Sequence, residues 1–567
     1  MNNLKNQIPK YVFYILVLLW GIACFTFFQG WYHYHFFYQE QNQLFPFSWD
    51  YLSTYFDKPA WLACMVGDFL TQFYYYLYAG PAILTLVILM TGMFCYRAIL
   101  LTDIKNPSVA YLTAIGIMTV EAIFSFHYDY RLSSILAFAG GAATFCISTK
   151  VLTFCRKKIN LIENLHEWHT MIAGLGIPHW LSILFIAIST PLCFWLFGYG
   201  VWIYGVLVLL GCLFNIKQEG NYVRTVTIVA VMFLIMLSKR SYFLDFSDLY
   251  SYPGIGKFIK PQFNLERSFS VDDEYYFGNY NKVVRIVEED ETPNPYMKFY
   301  YNLVMAQRGC LPDKLLAFQD NNLGTFEQLG PDTPALTIKS VNELYWALGD
   351  MTFTERAAML SNVCSPDKRN IRMMKRLAEI NLVSNNLSAA KKYLRILQHT
   401  FVWKNWANKI LASLETNNKH QQSTEVSSLL LAYQEKAKFT NLQDTLRTNQ
   451  NAHVIMEELL QSNPDNEVAL QYLLCSDLLL KDMDSFKHDY DTYYLKQKTQ
   501  KNEKLYQEAL MIYLAGTNAS PAEWLKYIKR NDIMQRFQQY NQQRGSAIFA
   551  DTYWYYFDKA VTPQPTK

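Results

Sequence analysis

The feature that most constrains this chain is a succession of apolar stretches that begins at Tyr11 and stops at Ser238. Stretches over 11–28, 81–101, 109–126, 132–149, 180–197 and 201–216 carry few charges, and a seventh over 222–240 centres on Thr225–Ser238. Runs of this kind escape water only in a bilayer or a deep core. The seventh is short, but Arg224, Lys239 and Arg240 flank it and can extend their charged ends toward headgroups, and Tyr222, Tyr242 and Phe243 suit that level. Beyond it the composition inverts, and residues 241–567 carry most of the Lys, Glu, Asp, Asn and Gln. The expected fold is all-α. A polytopic transmembrane helix bundle of about seven spans occupies 1–240, a linker 241–274, a soluble α-helical repeat domain 275–545 and a C-terminal tail 546–567.

Charge asymmetry orients the spans. Lys5 and Lys10 precede the first one and place the N-terminus in the cytoplasm, as an uncleaved signal anchor without a small-residue cleavage site. Between Lys58 and Arg97 the only charge is Asp68, so 60–79 either crosses or lies as a surface or re-entrant helix. If 60–79 crosses, the basic cluster Lys150, Arg156, Lys157 and Lys158 falls outside; if not, the cluster stays cytoplasmic, which the positive-inside rule favours. Ile159, Ile162, Leu165, Trp168 and Ile172 recur at helical spacing and predict an amphipathic surface helix. Gly198-Tyr199-Gly200 predicts a tight hairpin. Seven crossings from a cytoplasmic start deliver the polar half outside the cytoplasm, although Lys239 and Arg240 then sit against the rule. The expected location is the inner, cytoplasmic membrane.

With 51 Lys+Arg against 48 Asp+Glu, the net charge of +3 supplies no footprint for nucleic acid. Of the ten cysteines, Cys310, Cys364 and Cys475 lie scattered in the polar half and the rest in the apolar half, and no CxxC occurs. Neither a zinc ribbon nor a redox pair is indicated.

In the polar half, Gly278 is followed seventeen residues later by Pro295, and Gly349 by Pro366 at the same distance. Asn385-Asn386 opens a helix, Lys481-Asp482 follows Pro464, and Gly309 gives a further turn. Turns at 278, 309, 349, 385 and 481 share no strict period, so the repeats are degenerate, with a polar interruption at Thr416–Ser428. The Pro-rich end Val561–Lys567 is expected to be disordered.

No nucleotide motif appears, and Gly254-Ile255-Gly256-Lys257 lacks the spacing of a phosphate loop. His166-Glu167-Trp168-His169 is one residue short of a metalloprotease helix, and no metal centre is expected. The outward-facing polar residues are the candidates for chemistry. Glu40, Asp50, Asp68 and Asp129 are the candidate catalytic carboxylates, and His33, His35, His127, Arg131 and Glu121 the candidate binding residues. Asp68 and Glu121 interrupt apolar segments, where an ionisable group needs a cavity or a partner. The competing account of Phe126–Arg131 is a charged hairpin turn, and that of the aromatics between Trp31 and Tyr78 an interfacial belt.

The turn-to-Pro spacing resembles tetratricopeptide repeats, which bind peptides and partner proteins in a concave groove. Gln39-Glu40-Gln41 with Leu44-Phe45, Asp68–Tyr75, and Lys375-Arg376-Leu377-Ala378-Glu379-Ile380-Asn381-Leu382 make the chain similar to an uncharacterised family of polytopic membrane proteins from Bacteroidetes. The order of first outer loop, seven spans and outer domain also resembles membrane-embedded C-type glycosyltransferases. That resemblance implies a role for Glu40 or Asp50 as the acidic residue of the first outer loop. Two functions follow as expectations. One is an envelope protein that binds a protein partner in its repeat groove, with membrane lipids around its spans and no cofactor. The other is an outer-leaflet transferase acting on a lipid-linked donor, the only case in which a divalent metal is expected.

Overall fold

The computed structural model describes residues 2–102, 104, 106–163, 177–214, 260–318, 333–365, 368–415, 424–438, 440, 451–497, 501 and 503–560. The expectations for 222–240, for His166–His169, for Gly254–Lys257 and for 561–567 lie outside these residues. Among them the chain is helical without strands. It forms two compact units: Met1–Glu266 with His399–Trp403, and Arg267–Gln398 with Lys404–Lys567.

In the first unit four helical segments are long and apolar enough to cross a membrane: Tyr11–Trp31, Ala79–Leu101, Pro107–Phe124 and Leu132–Cys155. Leu184–Phe197 and Gly200–Gly211 are shorter apolar helices. Burial sorts the four by position. Ala79–Leu101 is 56% buried and Leu132–Cys155 50%, against 22% for each of the other two, so the former are central and the latter peripheral. Leu18, Leu19, Leu86, Leu112 and Ile147 remain exposed, as side chains facing lipid tails do.

Small residues let the central helices approach. A Cβ on Gly141 would lie 2.1 Å from the Gly200 carbonyl oxygen, and one on Gly67 2.8 Å from the Ser133 nitrogen. Without such contacts there is no water-driven force to hold helices together in lipid.

Three segments add detail to the sequence reading. Over 60–79 the chain forms an 11-residue helix, Trp61–Thr71, one 3₁₀ turn, Gln72–Tyr75, and a break before Ala79. At ~1.5 Å per residue that helix is about 16 Å long, roughly half a bilayer core. The helix starting at Leu132 does not end near 149 but runs unbroken to Glu163, because no Gly or Pro occurs from Ala142 to Glu163. Residues 159–163 form its end, and the rest of the expected amphipathic stretch, Leu165 to Ile172, lies outside the described residues. The first outer loop is also structured, with helices Tyr34–Gln41 and Trp49–Phe56. Gly198 takes a left-handed φ of 52° between helices ending at Phe197 and starting at Gly200, the expected hairpin.

The second unit is built from helical hairpins closed by one recurring device. The five turn positions Gly278, Gly309, Gly349, Asn385 and Lys481 all have positive φ. At each, the next residue's N–H reaches back to a carbonyl five residues earlier: Asn279 to Glu274, Cys310 to Met305, Asp350 to Tyr345, Asn386 to Asn381 and Asp482 to Asp477, at 2.8–3.0 Å. This is the Schellman closure. In three of the turns the same residue then caps the following helix: Asp350 accepts from Phe353 N–H, Asn386 from Ala389 and Asp482 from Ser485. One residue ends a helix and its neighbour starts the next, which makes the hairpins tight.

The main core gathers Tyr300, Leu344, Tyr472, Leu473, Tyr506 and Trp554 with other buried side chains. Trp554 belongs to the helix Tyr553–Lys559, is 1% exposed, and donates Nε1–H to the Glu508 carbonyl at 2.9 Å. The packed fold therefore extends past residue 545, where sequence reading placed a tail. At its other end, residues 263–274 are helical within Phe263–Tyr276 rather than linker.

Candidate functional site

The helix Ile371–Val383 carries Arg372, Lys375, Arg376 and Glu379 at helical spacing along one stripe. The stripe is buried against polar groups of neighbouring helices. Arg372 grips Asp272 bidentately, Nη1 to Oδ2 at 2.8 Å and Nη2 to Oδ1 at 3.0 Å, and also reaches Glu343 Oε1 at 2.9 Å. Tyr300 donates its hydroxyl to Asp272. Arg376 continues the chain of charges, with Nη2 2.7 Å from Glu343 Oε2 and Nη1 3.3 Å from Glu379 Oε2. Lys375 lies 2.9 Å from Glu379 Oε1. The guanidinium faces are used too. Arg372 sits 4.7 Å above Tyr276, and Arg376 4.3 Å above Trp346.

Burial alone would raise Asp272 and Glu379. For Asp272 the guanidinium of Arg372, with Lys339 and the Tyr300 hydroxyl, more than offsets it; for Glu379, Lys375 and Arg376 do. Both carboxyls are held below their ordinary values and stay ionised. Such a network satisfies buried charge by geometry, and its removal in part is costly.

Above this network opens a cavity of about 740 Å³. Its walls include Tyr276, Tyr280, Trp346, Arg376, Glu379 and Lys436, from helices Phe263–Tyr276, Tyr280–Glu288, Ala335–Leu348, Ile371–Val383 and Thr424–Ala437. Lys436 Nζ stands 4.6 Å over Trp346, on a ring that Arg376 also contacts. Burial, then the nearby Arg376, push the Lys436 ammonium down to about 8. The chemistry on offer is recognition: an aromatic platform, a partly desolvated ammonium, and a fixed guanidinium already bound to carboxylates. The segment 375–382 stood out in the sequence only through a family resemblance. Its signal was the polar stripe itself, which reads equally as a solvated helix face until Asp272 and Glu343 are seen to cover it.

The residues singled out from the sequence lie in the first unit. Glu40 is 2% exposed on Tyr34–Gln41, and His35, 1% exposed, has Nδ1 3.6 Å from Glu266 Oε2. His33 is half-buried just before that helix. Gln39 Nε2 donates to the carbonyls of Tyr128 at 2.8 Å and Tyr130 at 3.3 Å, so this helix packs on the turn that carries His127, Asp129 and Arg131. Within the turn the Asp129 N–H donates to His127 Nδ1 at 3.3 Å. Glu121 accepts from the Tyr130 hydroxyl at 2.6 Å. Asp68 accepts from Tyr55 at 2.6 Å, and its carbonyl accepts from Gln43 Nε2 at 3.0 Å. The elements bearing Glu40, Asp68, Glu121 and the 127–131 turn thus meet. Asp50 stands apart, exposed in the first turn of Trp49–Phe56.

No curated protein and no solved structure matches the chain. Residues 8–560 match a family described as a family of unknown function, DUF6057, and the chain belongs to that family.

Proposed function

We propose that this is an integral membrane protein of the cell envelope that binds a protein partner through its second unit, presented outside the cytoplasm as a tetratricopeptide-like array. The observation that carries this reading is the cavity of about 740 Å³ with Trp346 between Arg376 and Lys436. Hairpin arrays present concave surfaces to extended partners, and an aromatic ring held between a guanidinium and an ammonium gives such a partner a platform to stack on. Membrane lipids surround the spans, the N-terminus is cytoplasmic, and neither cofactor nor nucleic acid is required. The inner membrane is the expected site, from the asymmetry of Lys and Arg in the short loops.

The alternative, transfer from a lipid-linked donor by outer-loop carboxylates, has less support. Asp68 and Glu121 are each already bonded to a tyrosine hydroxyl, and Asp50 is exposed. One experiment separates the two. In a host lacking the gene, Trp346→Ala and Lys436→Glu are compared with Glu40→Gln, Asp50→Asn, Asp68→Asn and Asp129→Asn at matched protein levels. Loss of complementation by the first pair alone is expected. Loss by the carboxylate variants alone would replace partner binding with the transfer reading. A reporter fused after Lys567 must also score as extracytoplasmic.

A further inference from the structure

A second cluster of ionisable groups lies in the second unit, on three consecutive helices: Ala452–Ser462, Glu467–Leu480 and Met483–Thr492. His453 and Glu457 stand one turn apart on the first, Asp477 on the second and Asp489 on the third. His453 Nε2 is 3.0 Å from Asp489 Oδ2 and 3.5 Å from Asp477 Oδ1, and His453 Nδ1 is 3.5 Å from Glu457 Oε2. The acidic side chains at the base are almost fully buried, 3% exposed for Asp477 and 1% for Asp489. Among the described residues no hydrogen-bond donor is aligned on either oxygen of Asp489 or on Oδ2 of Asp477, and His453 Nε2, though close to Asp489, is not aligned on it. Buried carboxylate oxygens normally take several N–H or O–H bonds. Here, among the described residues, the only cation paired with Asp477 and Asp489 is one imidazole.

We propose that His453, Glu457 and Asp489, with Asp477 beside them, form a binding site for a divalent first-row transition cation such as Zn²⁺. One ligand atom each from His453, Glu457 and Asp489 already lies within 4.8 Å of the others. Bonds of about 2.0–2.2 Å need a modest contraction from that spacing, within reach of side-chain rotation. The donor set selects the ion. An imidazole nitrogen disfavours Ca²⁺ and Mg²⁺, which take oxygen ligands, and the lack of sulfur disfavours Cu⁺. Entry is provided from the outer side, where His453 and Glu457 are 33% and 28% exposed. A bound dication supplies the positive charge that these carboxylates lack and ties three helices together, so binding and stability are linked.

The test uses the full chain, purified in detergent and stripped with a chelator, titrated calorimetrically with Zn²⁺, Mn²⁺ or Ca²⁺. Wild type is expected to bind one more Zn²⁺ per chain than Asp489→Asn or His453→Gln, and to gain a thermal shift with Zn²⁺ that both variants lack. Asp489→Asn keeps the shape and removes a buried charge, so it should fold without metal. Glu457→Gln, at the exposed rim, is a second control. It should weaken Zn²⁺ by at least about tenfold, a loss that even outer-shell partners can cause. Equal Zn²⁺ stoichiometry in wild type and all three variants, Ca²⁺ bound as tightly as Zn²⁺, or a wild type that Zn²⁺ leaves unstabilised would each overturn the proposal. The last result would mean that His453 serves only as a protonated counter-ion.

Discussion

Arg372 is the residue whose loss the second unit should tolerate least. Its side chain is 1% exposed, as is that of its partner Asp272, and it spans Asp272 and Glu343 with three hydrogen bonds of 2.8–3.0 Å. Arg372→Met keeps much of the side-chain length and removes the charge. It leaves Asp272 and Glu343 facing each other in a buried space, with Arg376 still on Glu343 and, among the described residues, Lys339 and the Tyr300 hydroxyl near Asp272. Removing one partner of a buried pair costs about 3–5 kcal/mol, and the bidentate geometry places this case toward the upper end. Domains are stable by only about 5–15 kcal/mol, so a third or more of the total goes. Asp272→Asn leaves the opposite orphan and should cost a similar amount. The double variant removes donor and acceptor charge together. It should therefore destabilise by about 2–3 kcal/mol less than the sum of the singles, which is the signature of direct contact. Urea titration of the full chain in detergent, read by proteolysis within 267–567, measures all three. Strict additivity, or a cost below about 1 kcal/mol for either single variant, would show that the network is a solvated surface pair and that the cavity floor is not rigid.

The remaining expectations concern packing, pH and extent. Glu508 is 1% exposed, and burial, only partly countered by the Tyr553 N–H and Lys504, pushes its carboxyl up to about 7. A raised folded value means that the stability linked to this group is complete below about pH 4.5 and is lost as pH rises through about 7; the loss is on the order of 3 kcal/mol, and Glu508→Gln should flatten that slope. An unchanged slope in a pH series of melts would assign the dependence elsewhere. Gly141→Ala should destabilise the first unit by about 1–3 kcal/mol through overpacking, because its Cβ would meet the Gly200 carbonyl at 2.1 Å. Gly116→Ala, with nothing within 4 Å, should be neutral or better, and equal behaviour of the two in size-exclusion stability assays would refute the close approach. Ending the chain after residue 545 removes Trp554 from its core and should cost at least the ~3–5 kcal/mol of a buried Trp loss, visible as rapid proteolysis of the second unit.

How much of this was legible in the sequence depended on which interaction set the outcome. Turns were legible because a left-handed residue has a short-range cause. Gly278, Gly309 and Gly349 announced it by composition, and Asn385 and Lys481 by position, each followed by an Asn or Asp that starts a helix. The all-helical class and the long apolar helices were legible because hydropathy acts over one segment at a time. Helix length was less so: the helix from Leu132 runs on past Lys150 to Glu163, since charge need not break a helix. The C-terminal helix was hidden because burial of Trp554 depends on Glu508, 46 residues earlier.

Buried polar chemistry was the least legible, and the reason bears on where function should be sought. A carboxylate inside an apolar stretch looks functional in one dimension, yet Asp68 and Glu121 each meet a tyrosine hydroxyl at 2.6 Å. A one-helix alternation of Arg, Lys and Glu looks like a soluble face, yet Arg372 and Arg376 are buried by acids about 30 and 100 residues away. Sequence distance thus inverts the apparent priority: the conspicuous acids of the apolar half are locally satisfied, whereas His453, Asp477 and Asp489, unremarkable in their own segments, are brought together with buried oxygens on which, among the described residues, no donor is aligned. Unmet bonding capacity in a buried place is what a ligand can exploit. On that criterion the second unit, with its cavity and its histidine–carboxylate cluster, is where substitutions should be made first.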